Sequence, residues 1–512
     1  MQEFFNRVAE INDVINGFVW VRIGLVLLIG AGVLMTCVNR FFQVGHLGHW
    51  WKETIGAVFK KDSASTKKTD NKTISQFQSL CTALAATIGT GNIAGVSAAI
   101  VIGGPGAVFW MWVAAFLGMM TNYSENVLGI YYRRRNADGE WSGGAMYYLA
   151  DGLGSKPGYK WLGKVLAVLF SIFAILASFG IGNMGQVNKI TLNMQSAFFK
   201  DPNVLGEFMG VPVINIVIGV VLMILAGLII IGGLQRIASF AEKVVPVMSV
   251  IYIIGALVIC GMNYRNVGAM FVAIFKFAFG VKAVAGGVAG IAIREVITQG
   301  CKRGVFSNEA GLGSSVMVHS SSNVREPVRQ GMWGIFEVFF DTFVVCTMTA
   351  IVVLSSGFID LETGLAQEGV DDATLVAQVF GQHFGAAGEM FVAVAMLLFA
   401  FTTVLGWSQY GKKAVEYLLG NKATKVYQII FVLMIISGAV MTSSLAWDIS
   451  DTFNGLMMVP NLIGVVALSP TVAKITFNYV SRRLKGEDIE PVISYDADIQ
   501  AEAAEAIRNG AE

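Results

Sequence analysis

The chain has 512 residues, 55% hydrophobic and 14% charged, with mean hydropathy +0.63 and a formal net charge of +1. Soluble domains carry about 25% charged residues. Here the deficit runs along the whole length, which excludes a globular enzyme on a single anchor and predicts a polytopic membrane protein. The near-neutral charge gives no basis for nucleic acid binding, and Cys37, Cys81, Cys260, Cys301 and Cys346 lack metal-ligand spacing.

The N-terminus has no basic n-region, since Glu3, Glu10 and Asp13 outweigh Arg7, so a cleaved signal peptide is not expected. Apolar stretches long enough to span a bilayer fall at 18–38, 75–103, 106–131, 161–186, 211–233, 239–262, 284–304 with 311–320, 332–357, 386–411, 424–443 and 448–470. That makes about eleven transmembrane helices, the seventh broken. The apolar run 267–281 is too short and reads as a re-entrant or interfacial helix.

Basic residues mark every second connection. Lys52, Lys60, Lys61, Lys67 and Lys68 follow the first span, Arg133–Arg135 the third, and Arg236 and Lys243 flank the fifth-to-sixth connection. Arg325 and Arg329 follow the seventh span, Lys412, Lys413, Lys422 and Lys425 the ninth, and Lys474, Arg482, Arg483 and Lys485 the last. An alternate connection is acidic, with Asp360, Glu362, Glu368, Asp371 and Asp372. By the positive-inside rule the N-terminus is outside and the C-terminus cytoplasmic. The polar segment 481–512 reads as a cytoplasmic tail, mobile or forming a short surface helix.

Three polar places interrupt the apolar pattern. In Ala85-Ala86-Thr87-Ile88-Gly89-Thr90-Gly91-Asn92 a membrane helix can unwind, and freed backbone groups in lipid need a partner. The amides there suit a carboxylate, and the carbonyls near Ala85 and Ile88 suit sodium. Small-residue packing is the alternative. The second place, Phe306-Ser307-Asn308-Glu309-Ala310-Gly311-Leu312-Gly313-Ser314, gives a break near 304–314. Two interrupted segments about five spans apart point to an inverted-repeat transporter, although Lys302-Arg303-Gly304 leaves open an ordinary cytoplasmic loop. In the third, Thr402 and Thr403 share a helical face with the Phe399 carbonyl, which makes either a hard-oxygen cation site or hydroxyls bonded back to the preceding turn.

Ionisable residues within spans are costly. Glu337 and Asp341 lie four apart on one helix, with Arg294, Arg303 and Glu309 as candidate partners for Asp341. Gln186 reads as a neutral hydrogen-bonding group near a helix end. There is no phosphate-binding loop, His-Glu-x-x-His motif or nucleophile–base arrangement, so an enzyme is not expected. A passive channel is the rival from another class.

The segments 86–96 and 302–314, with Gly103-Gly104-Pro105-Gly106-Ala107-Val108-Phe109-Trp110-Met111-Trp112, strongly resemble the alanine or glycine:cation symporter family, also called sodium:alanine symporters. The likeness covers about residues 15–480. It implies an all-α leucine-transporter-type fold with 5+5 inverted repeats and one extra N-terminal helix. The corresponding divisions are 1–70 (extra helix and cytoplasmic loop), 71–265 (first repeat), 266–480 (second repeat) and 481–512 (tail).

The resemblance further implies sodium-coupled uptake of alanine and glycine across the cell membrane by alternating access. The partners would be the amino acid, sodium and the lipid bilayer, with no nucleic acid, no other cofactor and no obligatory protein partner. By similarity, Thr90, Gly91 and Asn92 would face the substrate carboxylate, and Gln186, Phe306, Asn308, Thr403 and Trp407 would line the pocket. Sodium would sit between Ala85 and Ile88 and the face formed by Phe399, Thr402 and Thr403. Some relatives of this fold replace sodium with a lysine and couple to protons. Lys243, beside Glu242, reads instead as a boundary charge, which leaves a proton-coupled permease as the nearest alternative.

Overall fold

The long apolar runs become helices because a helix satisfies every backbone group within one segment. The computed structural model describes residues 2–60, 65–66, 73–199, 203–208, 210–279, 293–441 and 444–509. Residues 284–292 of the expected seventh span, and Lys61, Lys67 and Lys68, lie outside this set.

Helix α1, Arg7–Val38, starts well before the expected residue 18. Short helical turns follow between Phe42 and Val58. Helix α2, Gln76–Thr87, and α3, Gly91–Gly103, form one pair bent by 56°. Their start is fixed by a reciprocal cap, in which the Gln78 amide donates to Ser75 Oγ (3.1 Å) and the Ser75 amide to Gln78 Oε1 (3.2 Å). Gly104, at φ 70°, turns the chain into Pro105 and α4, Gly106–Tyr131. A Cβ at Gly106 would lie 2.1 Å from the Phe277 carbonyl oxygen, so only glycine permits that approach.

Helix α5, Lys160–Phe198, runs past the expected end at 186, which puts Gln186 in mid-helix rather than near an end. Helices α6 (Val213–Ile230) and α7 (Gly233–Met262) follow, then α8 (Tyr264–Phe277), the short element expected at 267–281. Helix α9, Ile293–Asn308, is followed by a non-helical stretch and the single turn α10, Val316–His319. The break therefore begins at Glu309, later than Gly304, and Phe306, Ser307 and Asn308 close a helix.

Helix α11, Pro327–Ser355, precedes the half-buried α12, Leu375–Phe384, which sequence did not anticipate. Helices α13 (Ala386–Leu419) and α14 (Ala423–Val440) lead to α15 (Ser444–Ala467) and α16 (Ser469–Arg483). The α15/α16 pair is bent by 58°. The tail forms a surface helix, α17, Ala497–Arg508. Two-residue strands pair antiparallel at β1 (Arg134–Arg135) with β2 (Trp141–Ser142), and at β3 (Glu207–Phe208) with β4 (Val211–Pro212).

By length and composition seven helices among the described residues can cross a membrane, or nine if each bent pair is one span. Helix α4 is long enough at 26 residues but less apolar, and its Asn122, Ser124, Glu125 and Asn126 are all fully buried. Packing divides the molecule in two. Helix α4 lies along α9 and α11, whereas α5 packs on α13 and α15, and the α2 half of the first broken pair touches α7 and α13. On α6 and α14 the outward faces carry Val221, Ile224, Leu228, Ile429 and Leu433, an apolar surface suited to lipid.

Candidate functional site

The first break follows from two side chains that compete with the helix. The Gly89 amide, which would bond the Ala85 carbonyl in a continuous helix, donates to Asn92 Oδ1 at 2.9 Å. The Thr90 amide donates to Gln186 Oε1 at 3.2 Å. Ile88 is extended (φ −76°, ψ 91°), so its carbonyl leaves the helix axis. A π segment, Gly180–Met184, widens α5 just before Gln186, whose Nε2 donates to the Ile181 carbonyl at 3.0 Å and is thereby oriented.

Thr403 on α13 donates to both the Ile88 carbonyl (3.3 Å) and the Phe399 carbonyl (3.0 Å), and Thr402 donates to the same Phe399 oxygen at 2.9 Å. The hydroxyls therefore do bond back to the preceding turn, and Thr403 also reaches the break. Phe399, Thr402 and Thr403 are each at most 2% exposed, so no lipid touches them. The close fit needs glycine: a Cβ on Gly89 would lie 2.4 Å from Thr403 Oγ1, and one on Gly406 2.6 Å from Ala86 Cβ. The Ile88 and Phe399 carbonyls and two hydroxyls, with the Ala85 carbonyl relieved of its helical partner, are a neutral hard-oxygen set that fits a sodium ion.

The second broken segment meets the first from the other side. A Cβ on Gly91 would lie 3.0 Å from the Phe306 ring, so that ring closes over the Gly91 backbone. Thr90 and Phe306 line a narrow cavity of about 60 Å³, whose remaining wall includes Lys189, Arg303 and Asp372. The Thr90 hydroxyl is buried and has no hydrogen-bond partner among the described residues. Trp407, 3% exposed, packs against Gly182, where a Cβ would meet its side chain at 2.4 Å, and against the Tyr410 ring at 5.2 Å. Gln186 and Thr403 thus meet the first break at Gly89 and Thr90, Phe306 meets it at Gly91, and Trp407 packs beside Gln186's helix.

Asn92 and Asn308, expected to face solute, have their side chains engaged by protein, as Gln186 does. Asn92 donates through Nδ2 to Asp341 at 2.6 Å while its Oδ1 caps Gly89. Asn308 donates to Thr342 Oγ1 at 3.0 Å and accepts from the Ala310 amide at 3.0 Å. The charged partners expected for Asp341 are replaced by neutral donors: Asn92, Ser307 at 2.8 Å and Thr342 at 3.0 Å. Arg294 is exposed, Arg303 lies over Phe306 at 6.0 Å, and Glu309 accepts from Ser314 at 2.5 Å. The buried cost of Asp341 marked it in the sequence, but two of its partners, Asn92 and Ser307, come from other helices. Met248 and Ile181 carried no signal at all. Met248 Sδ lies 3.8 Å from Thr402 Oγ1, while Lys243 on the same helix α7 is exposed.

Comparison with known proteins places this geometry in context. The family model described as the sodium:alanine symporter family matches residues 5–493. A protein named sodium/alanine symporter AgcS, from Methanococcus maripaludis, is 42% identical over 472 residues, covering 92% of this chain and 97% of that protein. An uncharacterized transporter of Haemophilus influenzae is 39% identical over 477 residues, 93% of this chain and 97% of that one. Among solved structures, MhsT in complex with L-phenylalanine superposes with a TM-score of 0.50 at 14% identity, covering 80% of this chain and 99% of that chain. That likeness gives the fold, a leucine-transporter-type helical membrane architecture. The protein is thus a multi-pass, cation-coupled amino-acid symporter and not an enzyme, and the chain belongs to the sodium:alanine symporter family.

Proposed function

We propose that this protein is a sodium-coupled importer of alanine and glycine in the cell membrane. The observation that carries the reading is the Thr403 hydroxyl, shared between the Ile88 carbonyl at the first break and the Phe399 carbonyl of α13. One ion bound there joins the broken pair α2/α3 to α13, beside the Thr90 hydroxyl and the Gly91 amide that would hold a carboxylate, the Thr90 amide being taken by Gln186.

Sodium would be held by the carbonyls of Ala85, Ile88 and Phe399 and the hydroxyls of Thr402 and Thr403. It favours the arrangement that also completes the amino-acid site, and by linkage each ligand raises the affinity of the other by the same factor. The Thr90 hydroxyl and Gln186 are the polar groups nearest the proposed solute, and Phe306 and Trp407 restrict it to a small side chain. Asn92 and Asn308 act by holding the two breaks in shape. Rocking of the α4, α9, α11 group against α5 and α13 would then open the site to the cytoplasm. In the proposed topology residues 71–265 and 266–480 are the two repeats, the N-terminus is outside, and α4 and the α9/α10 segment complete eleven spans.

Sodium rather than a fixed ammonium is supported by Met248, which faces Thr402, and by the outward Lys243. The test is uptake of labelled alanine into proteoliposomes with sodium and proton gradients imposed separately. Accumulation driven by sodium alone supports the proposal. Accumulation driven by a pH gradient without sodium assigns the protein to proton coupling, and equilibration without accumulation assigns it to a passive pathway.

A further inference from the structure

The narrow cavity that ends on Thr90 and Phe306 starts among charged residues that the ion site does not use. It runs between α3, α5, α9 and the connection ahead of α12. Thr90 and Phe306 form its buried end, whereas Lys189, Arg303 and Asp372 are half-buried and form its mouth. Arg303 and Phe306 lie three apart on α9, and the Arg303 guanidinium sits over the Phe306 ring at 6.0 Å. The same ring closes over the Gly91 backbone, so it links the mouth to the first break.

Each sign of charge is present at the mouth, and neither is held in an ion pair. Arg303 and Asp372 form no salt bridge or side-chain hydrogen bond, with each other or elsewhere, among the described residues, and Arg303 Nε is buried without a partner. The adjacent Lys302 is spent on Asp451 at 2.6 Å, Lys189 already interacts with another group, and Asp448 on α15 meets the Arg303 charge only at a distance. An amino acid in water is a zwitterion. Its carboxylate matches the guanidinium fork, and its ammonium donates to a carboxylate. Asp372 belongs to an irregular connection, so one wall of this cavity of about 60 Å³ can yield to a solute.

We propose that Arg303 and Asp372 form an outer subsite for an amino-acid zwitterion, with the carboxylate on Arg303 and the ammonium on Asp372, ahead of the site at the first break. The inference rests on the reading of an amino-acid importer and adds the residues that meet the solute first. From there the solute passes Phe306 to reach the Thr90 hydroxyl and the Gly91 amide. A subsite of this kind raises capture through charge complementarity and leaves the later transport steps alone. Its loss therefore shows in KM and not in the maximal rate.

The test is the initial rate of labelled alanine uptake into proteoliposomes, driven by a sodium gradient. Arg303→Gln and Asp372→Asn should each raise KM about 5-fold, with the maximal rate and the half-saturating sodium concentration unchanged. Arg303→Lys, which keeps the charge, should stay within about 2-fold of the unaltered protein. Added choline chloride should raise the KM of the unaltered protein and leave that of Arg303→Gln alone, because salt screens the charges. A normal KM in both neutral variants overturns the proposal. So does a fall in maximal rate at constant KM, which would make the pair a seal and not a binding site. If the unaltered protein takes up neither alanine nor glycine with sodium, the importer reading fails and this inference with it; if it does and both neutral variants match it, the subsite alone fails. Should Arg303→Gln fail to fold, Asp372→Asn, on the connection outside the helices, carries the same test.

Discussion

The two interrupted segments differ in what satisfies their backbone. The first has its Gly89 and Thr90 amides taken by Asn92 and Gln186, and it turns the Ile88 carbonyl toward the Thr403 hydroxyl of α13. The second is longer and braced from within. Glu309, at φ 55°, and Gly311 and Gly313, at 90° and 72°, turn the chain. Asn461 donates to the Gly311 carbonyl at 2.8 Å and to Glu125, and Tyr148 in turn donates to Asn461. Two glycine-bearing breaks in one fold therefore differ: one turns its oxygens toward α13, where the proposed ion would sit, and the other commits its polar groups to protein.

Five variants would break or sharpen that contrast, the largest expected effect first. Gly89→Val puts a side chain where Thr403 Oγ1 would lie 2.4 Å from its Cβ. Overpacking of about 1–3 kcal/mol at the ion site should cut the initial rate of alanine uptake about 100-fold; near-normal uptake would mean that the first break is not the ion site. Thr403→Val removes an oxygen and should raise the half-saturating sodium concentration about 10-fold. Sodium titrations that leave both Thr403→Val and Thr402→Val unchanged would refute the proposed ligands.

Gln186→Ala leaves the Thr90 amide without its acceptor, and the KM for alanine should rise about 5-fold with little change in sodium dependence. A normal KM removes Gln186 from the pocket. Asn461→Ala, at the second break, should lower stability by about 1–3 kcal/mol in thermal unfolding while leaving both the sodium and alanine half-saturation values alone. If its alanine KM rises as far as that of Gln186→Ala, the two breaks do not differ in the way described.

The first break was readable because two glycines flank a threonine within an apolar run, a pattern that local propensity alone weakens. The second was legible as a break but misplaced: Gly304 suggested its start, whereas that glycine packs inside α9 with its Cβ position 3.4 Å from Met111 Cα. Gln186 read as a helix-end residue because the apolar span closes at 186, yet α5 continues to Phe198 through a π segment in which Gly182 lets Trp407 approach. The partners of Asp341 were illegible for the same kind of reason. Asn92, from a segment 249 residues away, reaches it only after folding.

Composition and hydropathy by themselves determined that the chain enters a membrane as helices, because backbone groups in lipid must be satisfied within each segment. The residue order within 85–92 also determined that one of those helices would come apart. Only the tertiary structure decided which oxygens meet at the break, which asparagines are spent on bracing, and that Arg303 and Asp372 face one cavity. Those outcomes depend on contacts between segments far apart in the chain, and no local pattern encodes such distances.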